Sequence, residues 1–230
     1  MKAANDHAAS MNIVIVLGAA TLCFAIPASL PAEENSGSGA KLADAVWKAC
    51  GGENWGNIKT IDFTFAVEKG GKTVASVDHH WDVPAQTDRV KWKGKDVTVD
   101  LANPASDEDA KAAYARWVND SYWLLAPLKL KDRGVNPTDE GTKEMDGAKR
   151  EVLGLSFGQV GLTPNDRYNL YIDPKTKLVT SWDYMPEPGK KMHVTWSDYQ
   201  KSGGLTLATD HASDGGTRVR ILNLKVTTKG

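Results

Sequence analysis

The sequence predicts an α+β, mainly β fold: a strongly curved antiparallel half barrel of about ten strands, with two short helices covering the concave side. Three observations carry this. Most of the chain alternates apolar and polar residues in short runs bounded by Gly, Pro and Asn or Asp. Only two segments have helical spacing, Lys41–Cys50 and Ser106–Trp117. The chain carries eight tryptophans, and Trp81, Trp92, Trp182 and Trp196 each fall in register with other apolar residues on an expected strand. A broad apolar sheet face with so few covering helices curls upon itself, which leaves a concavity lined by large side chains.

The N-terminus reads as a targeting segment. Ile13–Ile26 is a 14-residue apolar run, short for a membrane span and about right for a signal-peptide core. Pro27 ends it, and Ala28 and Ala32 offer small residues for cleavage. Residues 1–32 are therefore expected to be a signal peptide, with Met1 or Met11 as the start. The chain is expected to be exported, to a periplasm or to the medium. Cys23 follows Leu22, which is large for the position before a lipidated cysteine, so lipid anchoring at Cys23 is the lesser expectation. Removal of the leader leaves Cys50 as the one cysteine and no internal disulfide. Residues 33–40, polar and rich in Gly and Ser, read as a flexible spacer, and 41–230 as one half-barrel domain. With 28 basic and 29 acidic residues, a net charge of −1 gives no electrostatic footprint for nucleic acid.

The elements follow in order. Leu42, Ala45, Val46 and Ala49 make one helical stripe, and Gly51-Gly52 is placed to end it. Ile61, Phe63, Phe65 and Val67 alternate on a strand, and Gly70-Gly71 makes a hairpin turn. Val77, His79, Trp81 and Val83 share the next face. Val90 with Trp92, then Val97, Val99 and Leu101, complete a first meander. Ser106 opens a helix with acidic residues in its first turn. Asn119-Asp120 breaks its period, and Tyr122–Leu125 reads as a strand carrying Trp123. Lys129–Gly147, polar and rich in turn residues, reads as a long connection. A second meander follows through Leu153, Leu155 and Phe157, then 168–172, 178–184, 192–196, 205–210 and 219–226. A parity shift near Ile221-Leu222 implies a bulge.

No catalytic constellation is legible. His79 and His80 are adjacent on a strand and point to opposite faces. His80 with Asp78 and Asp82, with His193 and His211 on other strands, is a loose set for a metal. Asp210-His211 with Ser202 or Ser213 lacks a nucleophile-elbow sequence. Enzyme activity, a cofactor and a metal are not expected.

Two stretches, WVNDSYWLLAPLKL (Trp117–Leu130) and FGQVGLTPNDRYNLYID (Phe157–Asp173), resemble those of a family of unknown function among exported bacterial proteins. That family has a lipoprotein-localisation-factor-like (LolA/LolB-like) fold. The resemblance covers about Lys41 to Val226. It implies a curved half barrel closed by helices, with a hydrophobic cavity for acyl chains. The carriers' latch residues have no match here beyond Arg89, at a strand start.

The expected function is therefore an exported carrier or binding protein, acting as a monomer, for a lipophilic ligand such as an acyl chain, a lipid or a lipoprotein lipid. The expected cavity lining is Phe63, Phe65, Trp81, Trp92, Trp117, Trp123, Leu155, Phe157, Trp182 and Trp196. The alternative is a non-catalytic structural or interaction protein of the cell envelope, binding a protein partner on a sheet face or edge.

Overall fold

The computed structural model describes residues 37–104, 106–158, 163 and 165–229. The expected leader, with Cys23 and both candidate starts, lies outside the described residues. So does part of the loop between Phe157 and Tyr168.

Helix α1 (Ser38–Ala49) is followed by a 3-10 turn (Gly52–Asn57). Four strands come next: β1 (Ile58–Lys69), β2 (Lys72–Asp82), β3 (Thr87–Trp92) and β4 (Lys95–Asp100). Helix α2 (Glu108–Leu125) and a second 3-10 turn (Ala126–Lys129) lead to β5 (Val135–Met145), β6 (Ala148–Phe157), β7 (Arg167–Ile172) and β8 (Val179–Met185). The chain ends with β9 (Met192–Thr195), β10 (Ser197–Ser202), β11 (Leu205–Ala212) and β12 (Thr217–Thr228).

All strand pairs are antiparallel. Seven strands run in the order β10-β11-β12-β1-β2-β3-β4, and five in the order β5-β6-β7-β8-β9. Strands β9 and β10 are one stretch of chain interrupted at Trp196. Its first half pairs with β8 and its second with β11. The Trp196 amide donates to the Thr180 carbonyl at 2.7 Å, and Val194 bridges Ser213. The chain thus hands pairing from one sheet to the other, and the two read as a single bent sheet with β5 and β4 as free edges. This is the expected mainly β half barrel, unclosed, with twelve strands among the described residues.

Both helices lie on the inner face. Ala43 and Val46 of α1 meet Leu153 and Leu155 of β6. Helix α2 packs on β3, β4 and β11, and Ala113, Trp117, Leu124 and Leu125 join the core that includes Phe63, Trp81 and Val90. The Asp107 side chain caps α2 by accepting from the Ala110 amide at 2.9 Å, which satisfies one of the donors a helix start leaves open. At Gly39, α1 approaches β5 closely: a Cβ there would lie 2.5 Å from the Pro137 carbonyl oxygen.

Three expectations are corrected. Tyr122–Leu125, expected as a strand, is the last turn of α2. Asn119 and Asp120 do not break that helix, because their side chains are buried: Asp120 meets His79 across the fold, and Asn119 donates to Asp120. The connection Lys129–Gly147 contains β5, a long edge strand with little burial. It tolerates Pro137, and Gly141 (φ 77°) sits where its register shifts, as edge strands allow. Arg89, the candidate latch residue, is exposed and forks onto Asp96 at 2.7 and 2.6 Å. The bulge near Ile221-Leu222 is present: register slips between the Asp62–Lys225 and Thr64–Leu222 pairs, with Asn223 at φ 54°.

Candidate functional site

The site is the inner floor of the bent sheet beneath α2. Its seven-stranded half presents Ile61, Phe63 and Phe65 of β1, Val77, His79 and Trp81 of β2, and Val90 and Trp92 of β3. Its five-stranded half presents Leu153 and Leu155, then Tyr168 and Leu170, Trp182 and Tyr184, and Val194. Strict alternation along each strand puts these residues on one side.

The ten residues expected to line a hollow all face this interior, but they form two packed groups. Phe63, Phe65, Trp81, Trp92 and Trp117 belong to the first. Leu155, Trp182 and Trp196 belong to the second, with Phe157 packed on its margin. Trp123 touches both. The rings interlock: Trp81 and Trp117 meet edge to face at 5.3 Å, and Trp182 and Trp196 at 4.8 Å. The space left between α2 and the second group is a cavity of about 10 Å3, room for about one water molecule. Its walls are Asn119, Tyr122, Trp123, Tyr168, Trp182, Tyr184 and Met192. Of the ten expected residues, only Trp123 and Trp182 line it. The others fill the interior as core.

Most of the remaining walls escaped the sequence reading for two reasons. With α2 ended at Trp117, Asn119 and Tyr122 had no common face; on the longer helix they lie one turn apart. Tyr168 and Tyr184 are directly paired across β7 and β8, a juxtaposition that alternation alone does not reveal.

The underside of α2 is unusual for a helix that covers an apolar floor. Asn119, Asp120 and Ser121 are consecutive and all buried. Asp120 is matched by His79, whose Nε2 lies 3.0 Å from its carboxylate, while His79 Nδ1 lies 2.7 Å from Asp88. Asn119 donates to the other oxygen of Asp120 at 2.7 Å. Phe63 stacks on the imidazole with ring centres 4.5 Å apart. Burial works against charge on His79, but the two carboxylates outweigh it and hold the imidazole up at about 9. It is therefore an imidazolium at neutral pH, bridging the sheet to α2.

The other histidines divide as alternation requires. His80 faces outward and lies 2.5 Å from Asp62. His193 Nδ1 lies 2.7 Å from Asp183, which also accepts from Tyr171 and Lys191. His211 faces inward with no charged partner on its ring, and burial, opposed only by the neighbouring Asp210, pushes it down to about 3. Among the described residues, no three or more His, Cys, Asp and Glu side chains group to hold a metal ion. Also among the described residues, no helix is long and apolar enough to cross a membrane.

The chain matches no protein-family model and no curated protein. It is similar to a number of solved structures, three of which follow. A DUF1329 family protein from Desulfovibrio piger is 12% identical, with 82% of this chain and 93% of that one covered and a TM-score of 0.49. A LolA superfamily protein from Nitrosomonas europaea is 7% identical, with 82% and 94% covered and a TM-score of 0.45. A putative outer membrane lipoprotein-sorting protein domain from Vibrio parahaemolyticus is 9% identical, with 82% and 92% covered and a TM-score of 0.46.

Proposed function

We propose that this protein is an exported carrier or binding protein for a lipophilic ligand, an acyl chain or a lipid, held on the inner floor beneath α2. The observation that carries the reading is the mismatch between floor and lid. The floor is apolar and aromatic in each sheet half, and Trp123 touches both groups. The lid buries three polar residues in a row, and its end stands beside a cavity. A polar underside docks on an apolar floor less favourably than an apolar one, because each buried polar group must recover its lost hydration. The end of α2 near Tyr122 and Trp123 is thus the place where a ligand competes best. Each methylene buried there supplies ~0.8 kcal/mol, so a chain of several carbons replaces the contacts that the helix end gives up. Export rests on the apolar run Ile13–Ile26.

Native mass spectrometry after mild purification tests the reading directly. Titration with a fluorescent fatty acid, followed by tryptophan emission, tests it in solution, since Trp123 and Trp182 line the cavity. The expected result is bound lipid or saturable quenching. A ligand-free mass spectrum together with unchanged emission removes the reading.

A further inference from the structure

On the outer face of the five-stranded half, behind the floor, the end of a hairpin closes over a cluster of polar side chains. Ser181 and Asp183 of β8 alternate with the inward Trp182 and Tyr184. Tyr171 of β7 is paired with Ser181, and His193 of β9 with Asp183. All four therefore point outward. Yet Tyr171, Ser181 and Asp183 are each at most 3% exposed. Part of their cover is the Asp146-Gly147 turn between β5 and β6. Both residues have positive φ, 52° and 73°, the geometry of a tight hairpin turn. One oxygen of Asp146 accepts from Ser181 Oγ at 2.7 Å, and the other lies 3.3 Å from His193 Nε2. Strand β7 stands between β6 and β8, so the hairpin end bends over the outer face to make these contacts.

The charges around His193 fix what its two nitrogens do. Nδ1 lies 2.7 Å from Asp183, which also accepts from Tyr171 at 2.7 Å and from Lys191 at 3.2 Å. Burial works against charge on Asp183, but these hydrogen bonds outweigh it and hold the carboxyl below the usual carboxylate range. An ionised carboxylate only accepts, so Nδ1 carries a proton. Nε2 is enclosed and makes no hydrogen bond. A neutral ring turns its bare lone pair there towards the carboxylate of Asp146. A protonated ring turns an N–H and a positive charge towards it. From the β11–β12 turn comes Asp214, whose amide donates to the His193 carbonyl at 3.3 Å. The ring of Tyr171 lies 6.1 Å from the imidazole.

We infer that His193 and Asp146 form a proton-operated clasp: with a proton on Nε2 the β5–β6 turn is held down over β8 and β9, and without it Asp146 keeps only the bond from Ser181 and the turn lifts more readily. A histidine changes charge between about pH 5 and pH 8, so the clasp works across that range. Strand β9 pairs with β8 and carries Met192 of the cavity wall. The clasp thus acts on a strand that borders the proposed floor, and it holds whatever the floor binds.

Hydrogen exchange read by mass spectrometry tests the clasp on the unaltered protein, on Asp146→Asn, on His193→Gln and on the double variant. Proteins are compared at the same pH, about 5 or about 8, so that the intrinsic pH dependence of exchange cancels. At the acid pH, residues 143–149 of the unaltered protein should exchange at least about threefold more slowly than those of Asp146→Asn, the scale of a partly exposed ion pair. At the alkaline pH the two should agree within about twofold. In the His193→Gln background, Asp146→Asn should change nothing at either pH. Equal exchange at the acid pH overturns the clasp. An effect of Asp146→Asn that persists undiminished at the alkaline pH, or without His193, overturns the role of the proton. Asp146→Asn keeps an acceptor for Ser181 and suits the left-handed turn, so its pH comparison decides by itself if His193→Gln does not fold.

Discussion

Removing the charge on His79 should abolish a distinct pH dependence of stability. The imidazolium lies between Asp88 and Asp120 with its side chain fully enclosed. In the unfolded chain its pKa is about 6.5; in the fold it is about 9. That difference corresponds to about 3 kcal/mol of stability. The sign is set by the direction of the shift. The native state binds the proton more tightly, so the contribution is fully present below about pH 6.5 and declines as pH rises through about 9. Urea unfolding of the unaltered protein and of His79→Gln, at intervals from pH 6 to pH 10, isolates the effect, because groups common to both cancel in the difference. The variant should be about 3–5 kcal/mol less stable at pH 6, since two buried carboxylates lose their counter-charge, and the gap should narrow by about 3 kcal/mol towards pH 10. If the single variant does not fold, His79→Gln with Asp120→Asn removes one of the two carboxylate charges and serves as the reference. Parallel curves would refute the buried imidazolium. A gap that widens with pH would mean that the native histidine is neutral.

Other perturbations probe the packing that positions the site. Leu124→Ala, at a residue of α2 that is 1% exposed, should destabilise the fold by about 2–5 kcal/mol, read as a lowered urea midpoint. Gly39→Ala should push α1 off β5, because the new methyl would lie 2.5 Å from a backbone oxygen; a loss of about 1–3 kcal/mol is expected, and an unchanged midpoint would show that α1 shifts freely. The Cys50 thiol, pushed up to about 12 by burial, should resist a thiol reagent at pH 8 in the folded protein and react once the chain is unfolded. Rapid labelling in the native state would show that the contact between the first 3-10 turn and β11 opens readily.

Periodicity made much of the architecture legible. Ile61, Phe63 and Phe65, Val77 to Trp81, and Leu153 with Leu155 declare their inner face by alternation, and they occupy that face. The opposite directions of His79 and His80 follow from the same rule. Strand β5 was not legible, because an exposed edge is held by backbone pairing to one neighbour and needs no apolar stripe. Strand β10 was hidden in the same way: most of its side chains are exposed or half-buried, and its place is set by β11. The length of α2 was hidden by Asn119 and Asp120: the preference of Asp120 for a turn is overridden by His79, a partner that local sequence does not contain, and Asn119 is paired to Asp120.

The amino-acid order by itself determined which residues are apolar, which alternate and which turn, and hence an antiparallel sheet with one greasy side and two helices to cover it. Only the tertiary structure decided how full that side is. Alternation assigns a side chain to a face but says nothing of what approaches it from above, and here aromatic rings from β7, β8, β9's end and α2 close upon one another until a cavity of about 10 Å3 remains. It also decided that His79 is charged and His211 is not, because the pKa of a buried imidazole depends on carboxylates that come within 3.0 Å only through folding.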